Sequence, residues 1–328
     1  MIIEANTYRG AYIENRFRVS LAAVTPQGQL VAQAGDPQLW AHLRSTAKPF
    51  QSLAVVLSGA LERFGYGPRE LAITTGSHDG TPEHTDLVNQ MLGRLGLPQT
   101  CLVCGVHPPS SRVARQALEQ AHQSPTVLHH NCSGKHTGML AAALALGASV
   151  EGYADLQHPV QQLNLNTFRE LSGIEQVGQA VDGCSVPTFV LPLAGTAQML
   201  AYLAAPDLAP QKYRAPLEQI FQAMRHHPQL VAGPGSIDTV VMEQAEGVVA
   251  KRGADGYYGL ALRHSPWGPV GLAIKVEDGS SVPREPVVIH LLHQLGLLPN
   301  ADRLPWWRPV IRNWAGLEVG HVQVQVSL

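Results

Sequence analysis

The sequence predicts a layered α/β (α+β) fold in which strands from both ends of the chain share a central sheet and a helical region fills the middle. Three observations carry this reading. Strand-like segments open the chain, apolar positions at helical spacing dominate its centre, and strand signals return near its end. No repeat period, low-complexity tract or obvious linker interrupts the 328 residues, so residues 1–328 read as one structural unit.

Taken in order, residues 17–24 and 30–32 are apolar strands about a turn at Pro26-Gln27-Gly28. A helix begins near Arg44 and runs to about Phe64, where Gly65 is a fitting stop. Residues 71–75 are a short apolar strand or element end that delivers Gly76-Ser77-His78-Asp79-Gly80. Thr81-Pro82-Glu83 then starts a helix with an N-cap and a first-turn proline, and Leu87, Met91, Leu92 and Leu95 keep its period. Further helices are expected over 113–122, 135–146, 159–171, 195–204 and 216–227. The second of these is apolar all round and therefore buried. The pair His226-His227 suits a helix C-terminus. Strands are expected over 247–251, 257–262 and 270–276, then a helix over 282–297 and ordered loops near 305–316. Val322, Val324, Val326 and Leu328 alternate with polar residues, as a half-buried last strand would.

Composition narrows the function classes. Hydrophobic residues make up 45% and charged residues 15%, which describes a compact globular protein. A net charge of −2 gives no electrostatic footprint for nucleic acid or an acidic membrane. No apolar run approaches the roughly 20 residues that span a bilayer. The start lacks a signal-peptide layout, and four cysteines do not form a secreted disulfide framework. The expectation is a cytoplasmic protein.

The chemistry concentrates in a few loops. Ser45 and Lys48 lie three apart at a helix start, so the hydroxyl and the amine can face one point. A serine hydroxyl needs an adjacent base, and a buried lysine holding a neutral amine can serve. Free N–H groups at the helix start, with one from the Ser77 loop, would suit an oxyanion. Glycines bracket Ser77, and a second lysine, Lys251, ends an apolar strand. Taken singly, each has an ordinary structural reading as a cap, a turn or a solvated charge. The loop from His129 to Gly138 contains Cys132-Ser133-Gly134-Lys135-His136 and leads into the buried helix, while Cys184 follows Asp182-Gly183. Two thiolates with a nitrogen ligand and a water would hold zinc, and His129, His130 or His136 would be the ordinary nitrogen. The alternative is two buried cysteines acting as small hydrophobes. Cys101-Leu102-Val103-Cys104 has no partner motif and reads as a strand, with His107 near a strand end.

Together, the segments 44–50, 76–84, 104–108, 129–138, 181–187, 231–239 and 251–256 resemble, in the same order, those of the rhizobial-type L-asparaginases. These are amidohydrolases with a serine β-lactamase-like fold. The resemblance implies two Ser-Lys tandems, Ser45 with Lys48 and Ser77 with Lys251. It implies a zinc site at Cys132, Lys135 and Cys184, with Lys135 in place of a histidine. A lysine ligates only through its neutral amine, so such a site is pH-dependent and fairly weak. The resemblance also puts Asp182 and His136 in the substrate pocket and Arg44 beside the nucleophile. Arg44 is then the group for the carboxylate of L-asparagine and Asp182 the group for its ammonium. A homodimer is implied as well. The loop Gly233-Pro234-Gly235-Ser236-Ile237-Asp238-Thr239 carries no basic residue near Ser236, a departure that bears on substrate range. The rival readings are a β-lactamase or peptidase-like acyl hydrolase on another amide, and a non-catalytic zinc- or ligand-binding protein.

Overall fold

A computed structural model describes residues 1–327. Their contacts gather into two compact bodies. One comprises Met1–Thr46, Leu191–Leu208 and the chain from Gln244 on; the other comprises Ala47–Val190 and Ala209–Glu243.

The first body joins the two ends of the chain, as the strand signals predict, but in two sheets instead of one. Strand Ile2–Arg9 runs antiparallel to Glu318–Ser327, with Ile2 opposite Ser327 and Arg9 opposite Gly320. Tyr12–Phe17 and Val310–Arg312 complete this four-stranded sheet. The second sheet has the order Leu30–Ala34, Val19–Val24, Val270–Val276, Tyr257–Leu262, Val248–Arg252. The chain changes sheets at Arg18. Before it, Tyr12–Phe17 is largely exposed; after it, Val19–Val24 is buried throughout. That switch follows composition, because a strand buried on both faces reads as a continuous apolar run. Helix Leu193–Ala204 packs on the five-stranded sheet, and helix Arg284–Gln294 on the terminal strand. Val322, Val324 and Val326 face inward as their alternation predicts; Leu328 lies outside the described residues.

In the second body, helices Pro82–Leu95, Arg112–Gln120, Ser133–Ala145, Pro159–Ser172 and Arg214–His226 fall within a few residues of their predicted places. Two expectations are corrected. The single helix to Phe64 is broken into Lys48–Gln51, Leu53–Leu57 and Ala60–Phe64, after a 3-10 turn at Arg44–Ala47. Pro49 brings no N–H to the run, and Gly59 adopts φ 75, a left-handed conformation that ends a helix. Gly65, at φ 62, stops the last piece as expected. Residues 71–75, expected as a strand or element end, instead close helix Pro68–Thr74. Pro68 opens it, and the Gly67 N–H donates to Glu70 Oε2 at 2.9 Å. A short apolar run does not distinguish a strand from a buried helix, and here the cap decides. A hairpin of Gly178–Val181 and Pro187–Pro192 was not foreseen, and its turn carries Cys184.

Helix Ser133–Ala145 is the buried spine of this body; all of its first eleven residues are inaccessible. It lies close against Pro68–Thr74 because Gly134 has no side chain. A Cβ there would stand 2.7 Å from Ile73 O and 2.8 Å from Ile73 Cγ1. Phe168 stacks on Phe189 at 4.2 Å and meets Phe50 edge-on at 6.2 Å, closing the other side of the core. Each such pair adds roughly 0.5–1.5 kcal/mol beyond its area. Among the described residues no helix is long and apolar enough to cross a membrane.

Gly134→Ala sets two effects against each other. Alanine in a helix gains about 0.5–1 kcal/mol, while forcing a methyl against an immovable carbonyl costs about 1–3 kcal/mol or more. The expected outcome is a net loss of about 2 kcal/mol, read as a lower urea midpoint at unchanged m-value. An unchanged or higher midpoint contradicts the close packing.

Candidate active site

Lys48 sits at the head of its short helix with 1% of its surface exposed. Its Nζ donates to Gly76 O at 2.7 Å and lies 2.8 Å from Ser77 Oγ. The loop that brings Ser77 there is fixed from several sides. Helix Pro68–Thr74 ends just before it, the Ser77 N–H donates to Val231 O at 2.7 Å, and the His78 N–H donates to Asn131 O. The Ser77 amide is therefore engaged, so an oxyanion N–H from this loop would have to come from another of its residues. Gly76 is held so tightly that a Cβ would stand 2.7 Å from Leu230 O.

His78 is fully buried in this loop. Its Nδ1 accepts the Gly80 N–H, so Nε2 carries the proton and donates to Ser133 Oγ at 2.9 Å. Ser133 in turn donates to Leu128 O. His84 stacks on His78 at 4.9 Å and donates from Nε2 to Gln229 O. Burial, then the neighbouring His84 and Lys48, holds His78 well below the ordinary imidazole range. Burial likewise lowers His84.

The cysteine loop closes on the same body. Lys135 Nζ donates to Cys184 Sγ at 3.1 Å, and both residues are buried. Cys132 is pushed well below the ordinary thiol range, first by sharing the Cys184 proton and then by the Lys48 and Lys135 charges, against burial. Cys184 is correspondingly raised. Burial pulls Lys135 down, yet the two sulfurs carry it above an ordinary lysine. All four cysteines are free of disulfides.

The remaining predicted residues are placed as follows. Asp182 is half-buried, accepts the Gly183 N–H at 2.8 Å through Oδ1, and has Oδ2 3.8 Å from Cys184 Sγ. His136 is fully buried, with Nδ1 2.6 Å from Tyr153 Oη. In the first body, Lys251 is 1% exposed and donates to Arg252 O at 2.9 Å. Its carbonyl accepts from Thr46 Oγ1 at 3.3 Å. Ser45 is half-buried in the 3-10 turn. Arg44 has φ 50 and its guanidinium is engaged by Asp255, the first residue of an Asp-Gly turn. Ser45 and Lys251 thus belong to the first body, and Lys48 and Ser77 to the second.

Of the histidines considered for zinc, His129 uses Nδ1 to accept the Thr126 N–H, and His130 uses Nδ1 to accept the Cys132 N–H. Among the described residues no cluster of three His, Cys, Asp or Glu side chains is arranged to hold a metal. Cys132, Lys135 and Cys184 do converge, and two sulfurs with one nitrogen form a donor set that suits zinc. They fit the ion once the thiols and the Lys135 ammonium have lost their protons. Residues 101–104 do not form a strand; a 3-10 turn, Gln99–Cys101, occupies their start. His107 follows in a loop, donating to Pro108 O and accepting the Asn131 N–H. Sequence reasoning passed over Tyr153, which sits in no periodic pattern, and noted His78 only as one of three reactive side chains bracketed by Gly76 and Gly80.

The L-asparaginase II family model matches residues 5–324. No curated protein sequence matches the chain. Among solved structures, a Bacillus subtilis glutaminase covalently bound to 5-oxo-L-norleucine is 15% identical, covering 89% of this chain and 93% of that one at a TM-score of 0.42. A protein named Mglu, in its native form, is 15% identical over 86% of this chain and 65% of its own, at 0.48; this chain spans just under two thirds of its length. A Mycobacterium bovis β-lactamase is 12% identical over 80% and 88%, at 0.43. At such identities and scores these likenesses decide neither the activity nor the role of any residue.

His78 makes stability depend on pH. Its folded value lies below the 6.5 of the unfolded chain, so between the two the unfolded state binds more protons. Stability is then full above about pH 6.5 and falls as the pH drops below it. In His78→Gln the slope of unfolding free energy against pH should flatten by up to about 1.4 kcal/mol per pH unit, one proton's worth. Urea titrations from pH 7 to pH 5 check this; parallel slopes contradict it.

Proposed function

The chain belongs to the L-asparaginase II family of amidohydrolases, and on that footing we propose that it hydrolyses L-asparagine to L-aspartate and ammonia through a serine acyl-enzyme. The observation that carries the proposal is the buried contact of Lys48 Nζ with Ser77 Oγ at 2.8 Å. A lysine and a hydroxyl held this way, away from water, form a proton relay.

Ser45 is the proposed nucleophile because it stands three residues before Lys48 and is half-buried, whereas Ser77 is buried. Its Oγ bonds to the side-chain amide carbon while its proton passes to Lys48 in the amine form. The relay returns that proton through Ser77 to the amide nitrogen, the C–N bond breaks, and ammonia leaves. Water then attacks the ester carbon, its proton travels the same relay in reverse, and L-aspartate is released with Ser45 restored. Lys251 keeps the supporting role that the resemblance gives it.

Substrate recognition needs one group of each sign. Asp182 is assigned to the ammonium and Arg44 to the carboxylate. Arg44 is engaged by Asp255, so a substrate carboxylate would compete with Asp255 for it. His136 completes the pocket beside Cys184. A zinc ion held by Cys132, Lys135 and Cys184 would tie the hairpin turn to the helix start. No proton transfer above depends on it.

Ammonia release from L-asparagine tests the reading. The wild type should be active, and Ser45→Ala and Lys48→Met should each lose about 10³-fold or more in kcat/KM. Ser77→Ala should fall between them and the wild type. An inactive wild type, with or without added zinc, overturns asparagine as the substrate. Full activity in Ser45→Ala overturns the acyl-enzyme as drawn.

A further inference from the structure

Tyr153 is 1% exposed, and its hydroxyl has to place one proton and accept what its surroundings offer. The Val103 N–H donates to Tyr153 Oη at 3.1 Å. The hydroxyl's other partner among the described residues is His136 Nδ1 at 2.6 Å. A buried hydroxyl left without an acceptor costs about 1–3 kcal/mol. Its proton therefore belongs on the bond to His136, with Nδ1 accepting. The opposite assignment, Nδ1–H donating to Oη, would leave the tyrosine proton with nowhere to go.

The ring is well fixed for this bond. His136 and Tyr153 meet edge-on with centroids 5.6 Å apart and planes at 86°. The Tyr153 carbonyl accepts from Gln161 Nε2 at 2.8 Å, and the His136 N–H donates to Cys132 O at 3.0 Å. Both backbones are thus anchored. Meanwhile His136 Nε2 is buried and has no hydrogen-bond partner. Cys184 is the sulfur that bears on this ring. A buried polar atom without a partner is rare in a folded protein and points to something that completes it.

We infer that Tyr153 is a positioning residue that fixes the proton of His136 on Nε2, making that nitrogen a hydrogen-bond donor held for an acceptor in the pocket beside Cys184. A nitrogen that carries a proton has no lone pair for a metal. His136 then keeps its Nε2 proton when zinc is added. The acceptor that suits an imidazole N–H here is an anionic sulfur or a substrate oxygen. The inference deepens the asparaginase reading, and it rests on that reading only for the identity of the substrate.

The test is nuclear magnetic resonance of the full chain with ¹⁵N-labelled histidine, using long-range ¹H–¹⁵N correlations at neutral pH. The His136 ring is identified as the signal missing from His136→Gln. The expected result is a pyridine-type Nδ1 and a pyrrole-type Nε2 in the wild type, with Nε2 still protonated after addition of zinc. Tyr153→Phe should lose this single-tautomer signature, because Nδ1 no longer has a donor. A proton on Nδ1 in the wild type, loss of the Nε2 proton on adding zinc, or a wild-type signature in a folded Tyr153→Phe would each overturn the inference. The first two readouts need no variant that might misfold. None requires turnover, so failure here is distinguishable from failure of the asparaginase reading.

Discussion

The second body is arranged around a lysine nitrogen kept out of water. Leaving a lysine nitrogen at this depth without partners would cost about 1–3 kcal/mol. Gly76 O and Ser77 Oγ offset that cost, and both come from one loop. That loop is in turn held by Val231 O and Asn131 O. Lys48, Ser77 and the loops behind them are therefore one hydrogen-bonded unit. Loosening any member exposes a buried polar group.

The same economy governs the sulfur side of the body. Lys135 is buried, which pulls it down, and Cys184 and then Cys132 carry it above an ordinary lysine. A buried charge is tolerated when an opposite charge lies beside it, and here the pair spans the start of a helix and a hairpin turn. A zinc ion bound by these donors would need the lysine as its neutral amine and the cysteines as thiolates. Metal binding and proton release are therefore linked at this place. A metal site of this kind differs from one whose ligands wait preformed and deprotonated.

Much of the fold was legible because it depends on local pattern. Helices such as Pro159–Ser172 and Ser133–Ala145 announce themselves through period and burial, and strands Tyr257–Leu262 and Val270–Val276 lie where their apolar runs predict. The failures share a physical cause. Residues 71–75, which read as a strand or element end, close helix Pro68–Thr74, because a short apolar stretch is ambiguous until its cap is seen. The run from Lys48 to Phe64 was read as one helix because each break depends on a single residue. Residue identities at the site were legible, yet their partners were not. Lys48 meets Ser77 across 29 positions, and His136 meets Tyr153 across 17. Spacing along a chain reports neighbours on one element and is silent about contacts that packing creates. Arg44 shows the same limit. It was assigned to a substrate carboxylate, and the folded chain sets Asp255 against it.

The most direct measurement is the mass of the covalent intermediate. The wild-type protein would be mixed with L-asparagine, quenched in acid during turnover, digested and mapped by mass spectrometry. The account predicts an aspartyl ester on the peptide that contains Ser45, absent when Lys48 is replaced by methionine. An ester on a different residue, or turnover of asparagine with no serine acylated, would contradict it.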